Sequence, residues 1–203
     1  MCLRVSSGSG DLEVGDFALS ITNGVATIGS ATPTSISSIG YHQYGLGFSL
    51  SGTPNGSEQL AVVPIANSIF DINGTASSSS QSNNTVNLFE KVLPTISSTA
   101  LASDNSTITA TFSEAVFKSR SASGTGFAGN GDLEVSDFVL SMSGGVATLG
   151  SATPTSISKS SNAYTLGINY IGLPNGSEVI TVIPAQDAIY DNTGNIASTT
   201  QSN

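Results

Sequence analysis

Residues 10–37 read GDLEVGDFALSITNGVATIGSATPTSIS, and residues 131–158 read GDLEVSDFVLSMSGGVATLGSATPTSIS. Twenty-two of these twenty-eight positions are identical, and the six differences (15/136, 18/139, 21/142, 22/143, 23/144, 28/149) are conservative or fall in turns. After one residue is lost from the second copy, the match resumes at GTPNGSE (52–58) against GLPNGSE (172–178). It continues through IFD (69–71) and IYD (189–191) and ends with QSN at 81–83 and 201–203. Solenoids repeat every ~20–50 residues. A period of about 120 is the size of a domain, so each copy is expected to close its own core.

The frame of the repeat sets the expected boundaries. The stretch 84–117 has no counterpart ahead of residue 10, and the TVNLF that follows QSN in the first copy does not recur after the second QSN. Residues 1–91 are therefore expected to form a partial unit lacking its opening strands. Residues 92–203 form a second unit whose last strand is missing. The chain reads as a window cut from a longer array. The alternative is a polymer whose neighbouring subunits supply the missing strands, although neither end carries a spare segment resembling them.

The second copy shows why strands are expected. In Thr107–Phe112, Ile108, Ala110 and Phe112 alternate with three threonines, the period of two that marks a half-buried strand. Thr95 to Ala100 is of the same kind, and SerAspAsnSer (103–106) between them is a turn cluster. Further strands are expected at Phe138 to Met142, Val146 to Leu149, Thr155 to Ser158, Tyr164 to Ile171 and Glu178 to Ile183, with ProAsnGly (174–176) as a tight turn. Seven to nine strands in about 110 residues, with no helical period, point to an all-β sandwich.

Charge narrows the functions. Charged residues make up 9% of the chain, against ~25% in an ordinary soluble domain. Net charge is −9 and the basic residues number five, too few and too scattered to neutralise a phosphate backbone. Nucleic acid is excluded as a partner. Anionic membrane surfaces are disfavoured, and no apolar run is long enough to span a bilayer. The single cysteine, Cys2, makes no internal disulfide and reads as incidental. A lipid-modified cysteine is the sharper reading, but MCLRVSS lacks the apolar stretch of a signal peptide.

ATFSEAV (110–116), LEVSDFVLS (133–141), PNGSE (174–178) and AIYDNTGN (188–195) follow one another in an order that resembles the bacterial Ig-like repeats of large surface and adhesin-type proteins, including the SwmB-like and SbsA Ig-like repeats. The resemblance covers 94–203, and 10–93 without the opening strands. It implies tandem Ig-like antiparallel sandwich units, extracellular or cell-surface location, and an exported array holding a functional part away from the cell. It implies no catalytic residue. The first copy departs at AspIleAsnGlyThr (71–75), which lacks the final Asn of AspAsnThrGlyAsn (191–195).

Ten of the fourteen acidic residues occupy aligned positions, including Glu58/Glu178 and Asp71/Asp191. Calcium takes six to eight oxygens. Asp132, Glu134 and Asp137, their counterparts Asp11, Glu13 and Asp16, and Asp191 are the candidate ligands, with Glu114 as an additional one. The plainer reading has the same carboxylates solvating an edge and capping turns, with Asp191 in an Asx turn on its own backbone. His42 is the only histidine and reads as a loop residue, so a triad repeated in each unit is excluded. The tyrosines at 41, 44, 164, 170 and 190 could stack on sugars, but core packing is the expected use of Tyr164 and Tyr170. The sequons at Asn55, Asn73, Asn83, Asn105 and Asn175 matter only in a host that glycosylates them.

The leading functional expectation is a structural or adhesive spacer, calcium-stiffened if the carboxylates bind, whose partners are neighbouring repeat units. The second is a module that binds a glycan or a cell-surface protein through loops at one end of the sandwich. An enzyme using a carboxylate pair such as Asp132 and Glu134 comes last, and the chain is read as not an enzyme.

Overall fold

The computed structural model describes residues 10–124 and 126–201. Cys2 and Arg4 lie outside them. The described residues are all-β, with two short 3-10 turns (Val14–Asp16 and Val135–Asp137) and no α-helix. The chain divides into two compact units, Met1–Val92 and Leu93–Asn203.

In the second unit a four-stranded antiparallel sheet runs in the order Ile157–Ser160, Ala163–Gly167, Thr107–Phe112, Ile96–Leu101. Phe138–Ser143 pairs with Val179–Pro184. The alternation in 107–112 has the expected consequence: Ile108, Ala110 and Phe112 are buried and the threonines between them are not. Those three side chains join Phe138, Leu140 and Val182 from the other strand pair in a single core cluster. At its centre the rings of Phe112, Phe138 and Tyr164 stand 5.9–6.2 Å apart, centroid to centroid, within the range where aromatic pairs attract. The buried Tyr164 hydroxyl donates to the Val116 carbonyl at 3.3 Å.

The first unit repeats the register. Phe17–Thr22 pairs with Gln59–Pro64 so that Phe17 opposes Pro64 and Leu19 opposes Val62, as Phe138 opposes Pro184 and Leu140 opposes Val182. Thr85–Asn87 adds a third strand on the outer side of Gln59–Pro64. Ser35–Gly40 and Gln43–Gly47 form a hairpin corresponding to Ile157–Ser160 and Ala163–Gly167. Among the described residues of this unit nothing corresponds to Ile96–Leu101 or Thr107–Phe112.

Three details depart from the sequence expectation. The long strand from Tyr164 to Ile171 is two strands, Ala163–Gly167 and Tyr170–Ile171. Between them the Ile168 N–H donates to the Ser106 carbonyl and the Asn169 carbonyl accepts from Gly150, so the chain leaves the four-stranded sheet to pair with Thr148–Leu149. A hairpin, Ser119–Ser123 with Gly126–Asn130, lies in a Ser- and Gly-rich stretch with no apolar alternation to announce it. The residue by which the copies differ in length is taken up where the register shifts between Ser38 and Gly40, a β-bulge that adds one residue without disturbing the pairing beyond it.

Candidate functional site

The copied acidic residues are engaged at three kinds of turn. The first joins two motifs distant in sequence. In unit 1 the Glu58 carboxylate accepts hydrogen bonds from the N–H groups of Val25 (2.8 Å), Ala26 (2.9 Å), Asn55 (3.0 Å) and Gly56 (3.0 Å). In unit 2 Glu178 accepts from Val146 (2.9 Å), Ala147 (3.0 Å), Asn175 (3.0 Å) and Gly176 (3.0 Å). GVAT and PNGSE are thus the two halves of one lock, in which converging backbone dipoles hold an anion. Gly24 and Gly145 sit at φ +64° and +60°, and a Cβ on either would overlap the glutamate side chain. The residue before each is also left-handed, Asn23 at φ 62° and Gly144 at φ 72°, a region that Gly and Asn enter at least cost.

The two locks titrate alike. Burial pushes the Glu58 carboxyl up, and the N–H groups of Ala26, Val25 and Asn55 outweigh it, so the group is held down at about 2. For Glu178 the Ala147 N–H leads, burial opposes, and Val146 and Asn175 add to bring it to about 2. Glu58 has no exposed surface because the chain after Thr85–Asn87 passes over it. Leu88 donates to the Glu58 carbonyl at 3.0 Å and Lys91 to the Pro54 carbonyl at 2.8 Å.

The second turn is local. The Asp16 carboxylate accepts from the Glu13 N–H at 2.7 Å and Asp137 from the Glu134 N–H at 2.7 Å, each closing the 3-10 turn that leads into the following strand. Burial pushes the Asp137 carboxyl up, with the Glu134 N–H and Lys118 pulling against it. Asp132 and Glu134 bear on cations. Lys159 Nζ lies 2.8 Å from Asp132, and its hydrogen bond draws that carboxyl below its ordinary value. Lys118 pairs with Glu134. Asp11 and Glu13 are exposed, and Ser38 stands where unit 2 has Lys159.

The third turn differs between copies. Asp191 is fully buried and accepts from the Thr193 N–H (2.8 Å), the Thr193 hydroxyl (3.0 Å), the Asn195 N–H (2.8 Å) and the Asn195 Nδ2 (2.8 Å). Asp71 is exposed and accepts from the N–H groups of Asn73 (2.9 Å) and Thr75 (2.8 Å). Thr75 replaces Asn195 and removes the amide. In unit 2 this turn is further tied to the extra hairpin. Arg120 Nη1 donates to the Gly194 carbonyl at 2.8 Å and lies over the Phe127 and Tyr190 rings.

The structure thus brings Asp132, Glu134 and Asp137 into one neighbourhood, but against lysines and a backbone N–H, with Asp191 in a separate turn. Among the described residues no group of three or more His, Cys, Asp or Glu side chains could hold a metal ion. Calcium demands six to eight oxygens, and this donor set, with two of its carboxylates on lysine, does not fit it. The Asp132 and Glu134 pair is likewise engaged by cations, where a glycosidase needs one carboxyl protonated and the other facing a sugar. Of the tyrosines, Tyr164 is core, while Tyr41 is 89% exposed and packs on His42 at 3.9 Å. The glutamate locks escaped the sequence reading. Their signal was the joint copying of GVAT and PNGSE, two motifs that each looked like a separate turn. Compared with known protein families, characterised proteins and solved structures, the chain matches none of them.

Proposed function

We propose that the chain is a pair of Ig-like sandwich units from an exported tandem array, serving as a spacer or adhesive stalk that holds a functional part away from a cell surface. The observation that carries this reading is the glutamate lock. The same four-donor cage is built from the same residues in both copies, so what has been duplicated is a way of closing a sandwich-sized core. The copied carboxylates hold turns, and the uncharged Ser/Thr/Asn surface keeps water at a long array without fixed charge. Labelling intact cells of the source organism with an antibody to the chain is the test. Signal without permeabilisation is expected, and signal only after permeabilisation would contradict the reading.

Calcium is not needed for rigidity in unit 2, because Lys118, Lys159 and the Glu134 N–H already balance Glu134, Asp132 and Asp137. Adding a chelator is expected to leave the melting temperature unchanged, and a clear drop would restore calcium to the account. A second reading, recognition of a glycan or protein through loops, is favoured by the exposed Tyr41 ring on His42 in unit 1. The matching turn of unit 2 carries Ser161 and Asn162. A glycan array in which binding vanishes with Tyr41→Ala would support it.

A further inference from the structure

The chain holds five Asn–Gly pairs, at 23–24, 55–56, 73–74, 130–131 and 175–176. Such a pair can modify itself, one source of the heat-lability of asparagine. Hydroxide removes the glycine N–H proton, the nitrogen attacks the asparagine Cγ, and the side-chain nitrogen leaves as ammonia with a proton from water. The cyclic imide then adds water and opens to aspartate or isoaspartate. Water is the only co-reactant. The step requires a glycine N–H that can give up its proton and an asparagine amide free to swing onto it.

Four of these pairs are held. In unit 1 the Gly56 N–H donates to Glu58 Oε2 at 3.0 Å, and Asn55 Oδ1 accepts from the Ser57 N–H at 3.1 Å. In unit 2 the Gly176 N–H donates to Glu178 Oε2 at 3.0 Å, and Asn175 Oδ1 accepts from the Ser177 N–H at 3.0 Å. A carboxylate on the N–H disfavours the nitrogen anion that must attack. The Gly74 N–H donates to the Asp71 carbonyl, and Asn130 is fixed in its strand opposite Ser119. Asn23 is different. It is exposed, and among the described residues neither its side-chain amide nor the Gly24 N–H takes part in a hydrogen bond. The Glu58 carboxylate passes over them to the N–H groups of Val25 and Ala26.

We propose that Asn23 is a deamidation site whose product opens the glutamate lock of unit 1, while the two locks shield Asn55 and Asn175 from the same reaction. Isoaspartate puts one more carbon into the backbone just before Gly24. There is no slack to absorb it, since even a Cβ on Gly24 would overlap the Glu58 carboxyl. The segment carrying Val25 and Ala26 then has to leave the carboxylate. The aspartate product adds a negative charge to the turn that Glu58 already holds, which weakens the same bonds. Unit 2 has Gly144 and Gly145 in this turn, so the change is confined to one copy. The site depends on this turn alone, and its failure and that of the spacer reading are separate results.

The test ages the whole 203-residue chain in mildly alkaline buffer and reads each pair by peptide mapping, with the chain in denaturant giving the rate of each when nothing holds it. Asn23 is expected to react at close to its denatured rate. Asn55 and Asn175 should react about tenfold or more below theirs, because an N–H held by a charged acceptor must first be freed. In the reacted fraction amide exchange should quicken at Val25 and Ala26 and stay as it was at Val146 and Ala147. Asn23→Gly, which copies Gly144, should fold and abolish that change. Equal slowing of Asn23, Asn55 and Asn175, or faster reaction at Asn55 or Asn175 than at Asn23, would overturn the proposal. So would reaction at Asn23 that leaves exchange at Val25 and Ala26 unaltered, or the same loss of protection on ageing the Asn23→Gly chain.

Discussion

Glu58 and Glu178 show how one carboxylate can replace a longer stretch of sheet. Each ties a left-handed turn to the start of a strand more than thirty residues further along the chain, using only backbone donors. The neighbouring side chains can therefore vary, as at 23/144, without loss of the lock. Both groups are held at about 2, below the ordinary 4.5. A folded-state value below the unfolded one means that the stabilisation is complete above about pH 4.5 and disappears as pH falls toward about 2. Thermal melts are expected to drop across that window. In the double variant Glu58→Gln/Glu178→Gln the protein should be less stable at pH 7, and the drop should be shallower. Equal slopes for the variant and the parent chain would show that the locks do not set acid stability.

At the scale of elements, the strand that follows the bulge or its aligned site has two fates. Ala163–Gly167 lies inside a four-stranded sheet with Leu166 fully buried, whereas among the described residues Gln43–Gly47 has one partner and Leu46 is half-buried. Leu166→Ala is expected to cost about 2–5 kcal/mol, the range for a leucine cut back in a closed core. Leu46→Ala should cost clearly less, since its site is partly wet already. Denaturant titration of both variants checks the contrast, and equal losses would mean that Leu46 is as closed off from water as Leu166. Strand type was legible from residues such as Ile108, Ala110 and Phe112, because alternation and burial follow from the same pleat. Two features were not legible. The hairpin 119–130 is held by Arg120 on Phe127 and Tyr190, a contact of residues far apart in sequence. The break at Ile168–Asn169 is set by Ser106 and Gly150, which no local pattern names. The candidate carboxylates were found by their copying, and the turn of Asp191 on its own backbone was legible from the residues that follow it, but Lys118 and Lys159 were not named as partners, since they reach Glu134 and Asp132 only through the fold.

The whole molecule is read as a domain-sized module written twice, each copy closing its own interior, and that claim governs the functional proposal. The copies are not equal. Unit 2 has its opening hairpin and the Phe112, Phe138 and Tyr164 cluster, while among the described residues of unit 1 Tyr44, the counterpart of Tyr164, is 39% exposed. Differential scanning calorimetry of the chain and of Phe138→Ala tests the claim most directly. Two transitions are expected, the upper from unit 2. The substitution should remove about 3–5 kcal/mol from that upper transition and leave the lower one where it was. A single cooperative transition that the substitution shifts as a whole would contradict the account.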